Sequence, residues 1–185
     1  HNGSRLQEGP DGYMYFCTGD MYMAMIAQDV DNLGGKVLKM DWDGNPAPDN
    51  PFGNRVYSYG HRNPQGLTFS DSGQLYLSEH GPANDDEVNR IVAGGNYGWP
   101  HIEGFCDTPE EVSACDSLTQ IPPIAAWTPT EAPCGMSYFN HPSIPEWENT
   151  LLLCFLKQQH LKVLHLDDAG ETVELEEKMW QQEMG

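Results

Sequence analysis

The densest group of chemically capable residues lies in the segment 60–66. Arg62, Asn63 and Gln65 fall within four residues of one another, beside a proline. A guanidinium donates hydrogen bonds in a fixed fork, and an amide both donates and accepts them. This set therefore suits an oxidised ligand that carries carboxylates. The spacing alone nevertheless favours a plainer interpretation, a capped turn with a surface arginine.

A second group, in the segment 79–87, is acidic. The three consecutive carboxylates at 85–87 repel one another unless a cation lies among them or the side chains fan out into water. Gly81 and Pro82 leave backbone carbonyls free to face a metal ion. A calcium site and a solvated acidic turn both fit this pattern.

The overall charge limits the classes of partner. The chain has 28 acidic against 9 basic residues, which gives a formal net charge of −19. Binding to nucleic acid or to an anionic membrane surface requires basic patches, so both are disfavoured. Calcium remains possible, because it takes carboxylate and carbonyl oxygens. No apolar run approaches the roughly 18 residues of a membrane-spanning helix, so no membrane span is expected.

The elements that must position these groups are predicted to be short strands. The 19 glycines and 14 prolines among 185 residues exceed the usual share of about 12%. They are scattered between short apolar runs, which is typical of an all-β chain with many turns. Strands are predicted at 13–18, 36–41, 56–59, 66–69, 74–78, 136–139, 151–156, 161–166 and 172–179. Residues 86–92 fit a strand or one helical turn, and 20–34 and 93–134 are predicted to be mostly loop.

A weak internal repeat accompanies these strands. Gly12 opens an aromatic run, and Gly73 opens a similar run further along the chain. A turn that opens an aromatic strand at such a spacing suggests propeller blades joined by long loops. Since common blades run to about 40–50 residues, the chain has room for at most about four minimal blades, or about three with long loops.

The five cysteines stand at 17, 106, 115, 134 and 154 and include no C-x-x-C pair, which disfavours a structural zinc site. Cys106 and Cys115 flank a short polar segment and suit a disulfide. Free buried thiols are the alternative, and the sequence leaves both open.

The ordered combination of these motifs carries a family resemblance. The matching segments are residues 1–6, 9–12, 18–20, 34–38, 60–67, 79–89, 94–100, 147–152 and 156–157, among them His-Asn-Gly-Ser-Arg-Leu at the start and Gly-Gly-Asn-Tyr-Gly-Trp-Pro at 94–100. Each segment alone is unspecific, but together and in this order they are very specific. The chain resembles the soluble pyrroloquinoline quinone (PQQ)-dependent sugar dehydrogenases, the glucose and aldose sugar dehydrogenase family.

The resemblance implies a six-bladed β-propeller with PQQ in a cleft at its top, near the central axis. We therefore expect residues 1–185 to form one partial propeller domain of about three blades, with blades missing at both ends. The implied reaction oxidises an aldose at its anomeric carbon with transfer of hydride to calcium-bound PQQ, and an electron acceptor then reoxidises the cofactor. Members of the family work in the periplasm or as secreted proteins of bacteria.

The resemblance also implies roles for individual residues. His1 matches the general base and Arg62 the arginine beside the quinone oxygens. The remaining implied contacts are Asn63, Gln65 and Lys157 with PQQ, the carbonyls of Gly81 and Pro82 with the active-site calcium, Glu87, Tyr97, Glu103 and Asp107 with a second calcium, and Tyr138 with the substrate.

The chain also departs from the family pattern. Ser4 replaces a usual glycine, Glu8 replaces an apolar residue, and the methionine-rich stretches 21–25 and 179–184 are additional. The further arginines that clamp PQQ in the family lie beyond Gly185, so an incomplete cofactor pocket is expected. Two other hypotheses stay open. One is a non-catalytic calcium-binding propeller module that binds a protein or carbohydrate, and the other is self-association through open sheet edges.

Overall fold

The computed structural model describes residues 1–180, which form twelve strands in three four-stranded antiparallel sheets. Sheet 1 contains β1 (Ser4–Glu8), β2 (Met14–Thr18), β3 (Lys36–Met40) and β4 (Val56–Tyr59). Sheet 2 contains β5 (Pro64–Phe69), β6 (Leu75–Glu79), β7 (Asp86–Ile91) and β8 (Ala125–Trp127). Sheet 3 contains β9 (Pro133–Phe139), β10 (Thr150–Phe155), β11 (His160–Leu166) and β12 (Val173–Met179). Within each sheet the strands are neighbours in chain order, which confirms the prediction of an all-β chain with about three propeller blades.

The glycine turns that suggested a repeat occupy equivalent places in two sheets. Gly12 joins β1 to β2 with φ of 81°, and Gly73 joins β5 to β6 with φ of 85°. Both turns need this left-handed backbone, which glycine adopts without steric cost. The repeat therefore reflects the first hairpin of successive blades.

The first strands of the sheets lie on the inside of the assembly, because β5 packs between β1 and β9. Two apolar clusters fill the spaces between neighbouring sheets. Leu67, Leu75 and Leu77 of sheet 2 pack with Val37 of sheet 1 in one cluster. In the second cluster, residues of sheet 2 pack against the buried face of sheet 3.

The long segment 93–134, predicted to be mostly loop, contains helix α1 (Pro109–Leu118) and strand β8. The helix starts at a capping box in which Thr108 and Glu111 satisfy each other's backbone N–H groups, with a proline at the first turn. Cys106 and Cys115 form a disulfide across the start of this helix, which settles the alternative that the sequence left open.

Smaller differences concern the other ambiguous segments. Residues 86–91 form a strand, and the loop 20–34 contains a short 3-10 helix, Ala24–Gln28. Among residues 1–180, no helix is long and apolar enough to cross a membrane. The second methionine-rich stretch lies partly outside the described residues, which end at Trp180.

Candidate cofactor cleft at one end of the sheets

The candidate site lies where the end of β2, the approach to β5 and the end of β6 meet. Backbone hydrogen bonds fix this junction, because the amide of Asp20 donates to the carbonyl of Arg62 at 2.9 Å and the amide of Gly19 donates to the carbonyl of Gly3 at 3.2 Å. The chain ends of sheets 1 and 2 thus bring His1 and Arg62, which are 61 positions apart in the sequence, to the same end of the fold.

His1 is held by a buried carboxylate that the sequence reasoning did not assign a role. Nδ1 of His1 lies 2.6 Å from Oδ1 of Asp20, and Asp20 is completely buried. Because a carboxylate only accepts hydrogen bonds, Nδ1 carries a proton, and in the neutral ring Nε2 then keeps its free lone pair. The ring of Tyr22 stacks on the imidazole at 4.0 Å. The arrangement leaves Nε2 available as a base.

Asp20 also connects His1 to Trp99 and, through this ring, to Arg62. Its second oxygen, Oδ2, accepts a hydrogen bond of 2.8 Å from the indole nitrogen of Trp99. The guanidinium carbon of Arg62 lies 5.2 Å from the centre of the Trp99 ring. One carboxylate therefore couples the position of the imidazole to an aromatic ring that stacks against the cation.

Arg62 is the main cation of this junction. Its Nη1 donates to the carbonyls of His80 and Gly81, both at 2.9 Å, and its amide donates to Oε2 of Glu79 at 2.7 Å. Its Nε is buried and has no hydrogen-bond partner among residues 1–180. Burial lowers the pKa of Arg62, although the negative charges of Asp20 and Glu79 act to raise it. A guanidinium nevertheless stays charged. Arg62 as a whole is only half-buried and lines a cavity, so the exposed part of its guanidinium suits an anionic ligand.

The amides of Asn63 and Gln65 brace the strand that carries His1. Oδ1 of Asn63 accepts from the amide of Gly3 at 3.1 Å and from Nε2 of Gln65 at 3.2 Å. A Cβ atom on Gly3 would collide with the carbonyl oxygen of Pro64, so the close approach requires glycine. These two amides therefore already have a positioning function inside the protein.

A row of buried polar side chains lies beneath the cleft. Glu79 and Glu87 are directly opposite each other on β6 and β7. Nδ2 of Asn89 donates to both carboxyl groups, at 3.1 and 2.9 Å, while His61 Nδ1 lies 2.9 Å from Oε1 of Glu79. Burial, followed by the charge of Glu79, raises the pKa of Glu87 to about 8. Two opposed carboxyls in a dry environment favour a shared proton or a cation.

A small cavity of about 10 Å³ opens above this row, about the space of one water molecule or ion. Its lining includes six of the residues that the resemblance implied for the site, namely Arg62, Gly81, Pro82, Glu87, Tyr97 and Glu103, together with Glu79 and Asp85. The surplus of carboxyl and carbonyl oxygen over positive charge fits a hard cation such as calcium. Within residues 1–180, however, no three His, Cys, Asp or Glu side chains converge as a ready metal site. A cation here would depend on backbone carbonyls.

The donor atoms around the cavity are partly occupied. Oε1 of Glu87 accepts from the amide of Gly104 at 2.7 Å, and the carbonyl of Gly81 accepts from Arg62. The Tyr97 hydroxyl donates to the carbonyl of Arg90 at 2.7 Å, away from the cavity, so only its backbone oxygen is a candidate ligand. Burial also raises the pKa of Glu103.

Six of the implied site residues do not line this cavity: His1, Asn63 and Gln65, described above, and Asp107, Lys157 and Tyr138. Asp107 is exposed. Lys157 is exposed and donates to Oγ1 of Thr130 at 3.3 Å, in the segment that contacts the 81–86 loop. Tyr138 lies on β9 five residues beyond Pro133, roughly 17 Å along an extended strand, where its hydroxyl donates to Asn149. Tyr138 thus lies further along β9 than the cavity, and its substrate-side role stays a prediction.

Comparison with known proteins shows the family to which the chain belongs. The family model for glucose / sorbosone dehydrogenases matches residues 1–185, so the chain belongs to that family. It is 34% identical over 185 residues to the aldose sugar dehydrogenase YliI of Escherichia coli, covering 93% of this chain and 49% of that protein. It is 40% identical over 130 residues to quinoprotein glucose dehydrogenase B of Acinetobacter calcoaceticus, covering 58% of this chain and 27% of that protein.

The architecture agrees with this assignment. The PQQ-bound structure of aldose sugar dehydrogenase from Streptomyces coelicolor superposes with a TM-score of 0.83 at 37% identity, covering 98% of this chain and 49% of that one. The chain thus spans about half or less of the length of these relatives. The three sheets correspond to about half of a propeller of the PQQ dehydrogenase type.

Proposed function

We propose that this chain is part of a PQQ-dependent sugar dehydrogenase that oxidises aldoses at the anomeric carbon. The main supporting observation is the link from His1 through Asp20 and Trp99 to Arg62, which joins a free imidazole nitrogen to a half-buried cation. An alcohol oxidation needs both groups, one to take the hydroxyl proton and one to stabilise negative charge as it develops.

In this proposal His1 is the general base. Its Nε2 takes the proton of the anomeric hydroxyl, and Asp20 keeps the ring in the orientation and tautomer that make this transfer possible. PQQ, when bound, supplies the two-electron acceptor for the hydride. Tyr22 covers one face of the imidazole and limits its rotation.

Arg62 carries the electrostatic part of the reaction. Its two bonds to backbone carbonyls hold the guanidinium still, so that its positive charge is already in position when negative charge develops. Asn63 and Gln65 contribute amides beside it, and Lys157 supplies a second positive charge for the cofactor carboxylates. In a chain with a net charge of −19, these few cations decide where a tricarboxylate can bind.

Calcium is the second proposed cofactor. The carbonyls of Gly81 and Pro82 would hold the ion of the active site, and Glu87 with the backbone oxygens of Tyr97 and Glu103 and the carboxylate of Asp107 would hold a further ion. The oxygen-rich cavity supports this assignment. The exposed position of Asp107 means that it would have to approach the other ligands on binding.

The remaining parts of the proposal concern the whole protein. Residues 1–185 would form one partial propeller domain that other blades complete, acting on an aldose and passing electrons to an external acceptor. A periplasmic or secreted location is supported by the Cys106–Cys115 disulfide, since such bonds persist in oxidising compartments.

The test uses the natural protein in full length, reconstituted with PQQ and Ca²⁺. We expect PQQ absorbance to shift on binding and a dye to be reduced when aldoses are added. Binding of PQQ with no aldose-dependent reduction under any acceptor contradicts the dehydrogenase proposal. Calcium binding without PQQ binding favours instead the non-catalytic calcium-binding module.

A further inference from the structure

Two cysteines outside the disulfide lie beside each other at the cleft end of sheet 3. Cys134 is on β9 and Cys154 is on β10. The thiol of Cys134 donates a hydrogen bond to the carbonyl of Cys154, with a distance of 3.2 Å from Sγ to oxygen. Cys154 is exposed and Cys134 is half-buried, so solvent reaches the pair.

The strand register explains why the two residues meet. Leu153 pairs with Met136 and Phe155 pairs with Pro133, and a bulge between them places Cys154 opposite the step from Cys134 to Gly135. Paired residues of antiparallel strands have Cα atoms about 4.5–5.5 Å apart. Disulfides span Cα distances of about 4.4–6.8 Å. The bulge therefore brings the two cysteines opposite each other on neighbouring strands, with the Cys134 sulfur already 3.2 Å from the Cys154 carbonyl oxygen.

We propose that Cys134 and Cys154 form a reversible disulfide, which makes this edge of the cleft a redox-sensitive modification site. In the first step the Cys154 thiolate attacks a small-molecule disulfide such as oxidised glutathione, forms a mixed disulfide and releases one glutathione thiolate. The Cys134 thiolate then attacks the Cys154 sulfur and releases the second glutathione. Two protein thiols are oxidised to one disulfide, and the glutathione disulfide is reduced to two thiols.

A disulfide between Cys134 and Cys154 would act on the hydrogen bonds that hold the 80–86 loop at the cleft. The carbonyl of Pro133 accepts a 2.6 Å hydrogen bond from Nε2 of His80, and the carbonyl of Cys134 accepts from Oγ of Ser78. The amide of Ala132 donates to Asp86 at 2.7 Å, and Asp86 in turn accepts from the amide of Gly81 at 3.0 Å. Oxidation would therefore link β9, the strand that anchors the 80–86 loop, covalently to its neighbour β10.

The exchange is expected to depend on pH. Partial burial, followed by the neighbouring Cys134, raises the pKa of the Cys154 thiol. Since the thiolate is the attacking species, the reaction accelerates as the pH rises. Cys17 is completely buried, and burial raises the pKa of its thiol to about 12, so it serves as an internal unreactive control.

The test compares the full chain after treatment with oxidised glutathione and after mild reduction with dithiothreitol. Cleavage after glutamate separates the cysteines, since Cys134 falls in peptide 132–146 and Cys154 in peptide 149–171, whereas the Cys106–Cys115 bond joins peptides 104–110 and 112–131. We expect the oxidised sample to lose two of its three free thiols and to yield one species that joins 132–146 to 149–171. Amide hydrogen exchange at Glu131 and Ala132 should slow on oxidation.

Two variants complete the test. Cys154→Ser should abolish the linked peptide and leave both Cys134 and Cys17 open to alkylation in denaturant, and Cys134→Ser should leave Cys154 as a stable mixed disulfide with glutathione. The proposal is overturned if the oxidised parent protein carries glutathione on both cysteines, keeps both thiols free, or forms only dimers joined through Cys154.

Discussion

The imidazole of His1 and the carboxylate of Asp20 form a 2.6 Å hydrogen bond in which the carboxylate is completely buried. Asp20 receives two further hydrogen bonds, from the amide of Tyr22 at 2.9 Å and from the indole of Trp99 at 2.8 Å. A buried carboxylate with three donors is held in one position, and it holds the histidine in turn. The orientation of the proposed base is thus built into the loop that follows β2.

Replacement of Asp20 by asparagine should lower the rate of the proposed reaction without unfolding the protein. The amide keeps the shape of the carboxylate but no longer fixes the proton on Nδ1 of His1, so Nε2 is less often the free base. We expect kcat with an aldose to fall by up to about 10²-fold, the lower range of a general base's contribution. Steady-state kinetics of the holoenzyme across pH provide the measurement.

The matched control for this change is Asp31→Asn, because Asp31 is an exposed acid on the same loop. It should leave kcat and its pH profile unchanged. Equal rates for Asp20→Asn and the parent protein would show that Asp20 does not position the base.

Alanine at Gly3 should disturb the contact between the His1 segment and the segment around Asn63. The new methyl group would collide with the carbonyl of Pro64 and press on the Asn63 and Gln65 side chains. Overpacking of this kind costs about 1–3 kcal/mol of unfolding free energy. Gly135→Ala is the control, since its nearest neighbour is an arginine nitrogen at 4.0 Å. Denaturant unfolding should separate the two variants, and equal losses would contradict the role assigned to Gly3.

The fold was largely predictable from local signals. Gly12 and Gly73 marked the hairpin turns, and the aromatic and aliphatic runs marked the strands, because turn residues and apolar runs act over a few positions. Helix α1 was missed although Thr108 and Glu111 have capping-box spacing. Its signal was masked by the many prolines around it, which are typical of loops.

The site was predictable only in part, because its geometry depends on contacts between distant residues. The family resemblance brought together Arg62 and Glu87, which do line one cavity. Nothing local distinguishes Asp20 from other acids of this acidic chain, since its role comes from its contacts with His1 and with Trp99, which lies 79 residues away in the sequence. The position of Tyr138 on β9 was not predictable, because a sequence match does not show at which end of a strand a residue lies.

Replacement of Glu87 by glutamine should change the stability of the apo protein little but remove its stabilisation by calcium. The buried Glu87 carboxyl faces Glu79, and Asn89 bridges the two groups. Because the pKa of Glu87 is raised to about 8, its carboxyl is mostly protonated near pH 7, and glutamine is a neutral isostere of that form, so the unfolding free energy in chelator should change little. If Glu87 is a calcium ligand, added Ca²⁺ should no longer raise Tm, whereas a site filled at 100 times its Kd stabilises the parent by about 2.7 kcal/mol.

Thermal unfolding in chelator and in millimolar Ca²⁺ measures both quantities. Glu174→Gln, at an exposed acid on β12, is the control and should keep the full response to calcium. A calcium-dependent rise in Tm that survives in Glu87→Gln would remove Glu87 from the ligand set.

Lys36 should make stability depend on pH in the alkaline range. It is completely buried, and its ammonium donates to the carbonyls of Ile26, Ala27 and Gly34 without a carboxylate partner. Burial lowers the pKa of Lys36 to about 8. Between pH 8 and the ordinary value near 10.5 the unfolded chain therefore binds more protons than the folded one, and the unfolding free energy rises with pH through this window.

Over this whole window Lys36 should raise the unfolding free energy by up to about 3 kcal/mol, since each unit of pKa difference is worth about 1.4 kcal/mol. The measurement is the urea midpoint of the parent and of Lys36→Met between pH 8 and 9, below the range where exposed tyrosines, with a pKa near 10, ionise. Methionine has a similar length and no charge, so the variant should lose stability overall because three carbonyls lose their donor. It should also lose the upward slope with pH. A slope that persists in the variant would assign the effect to another group.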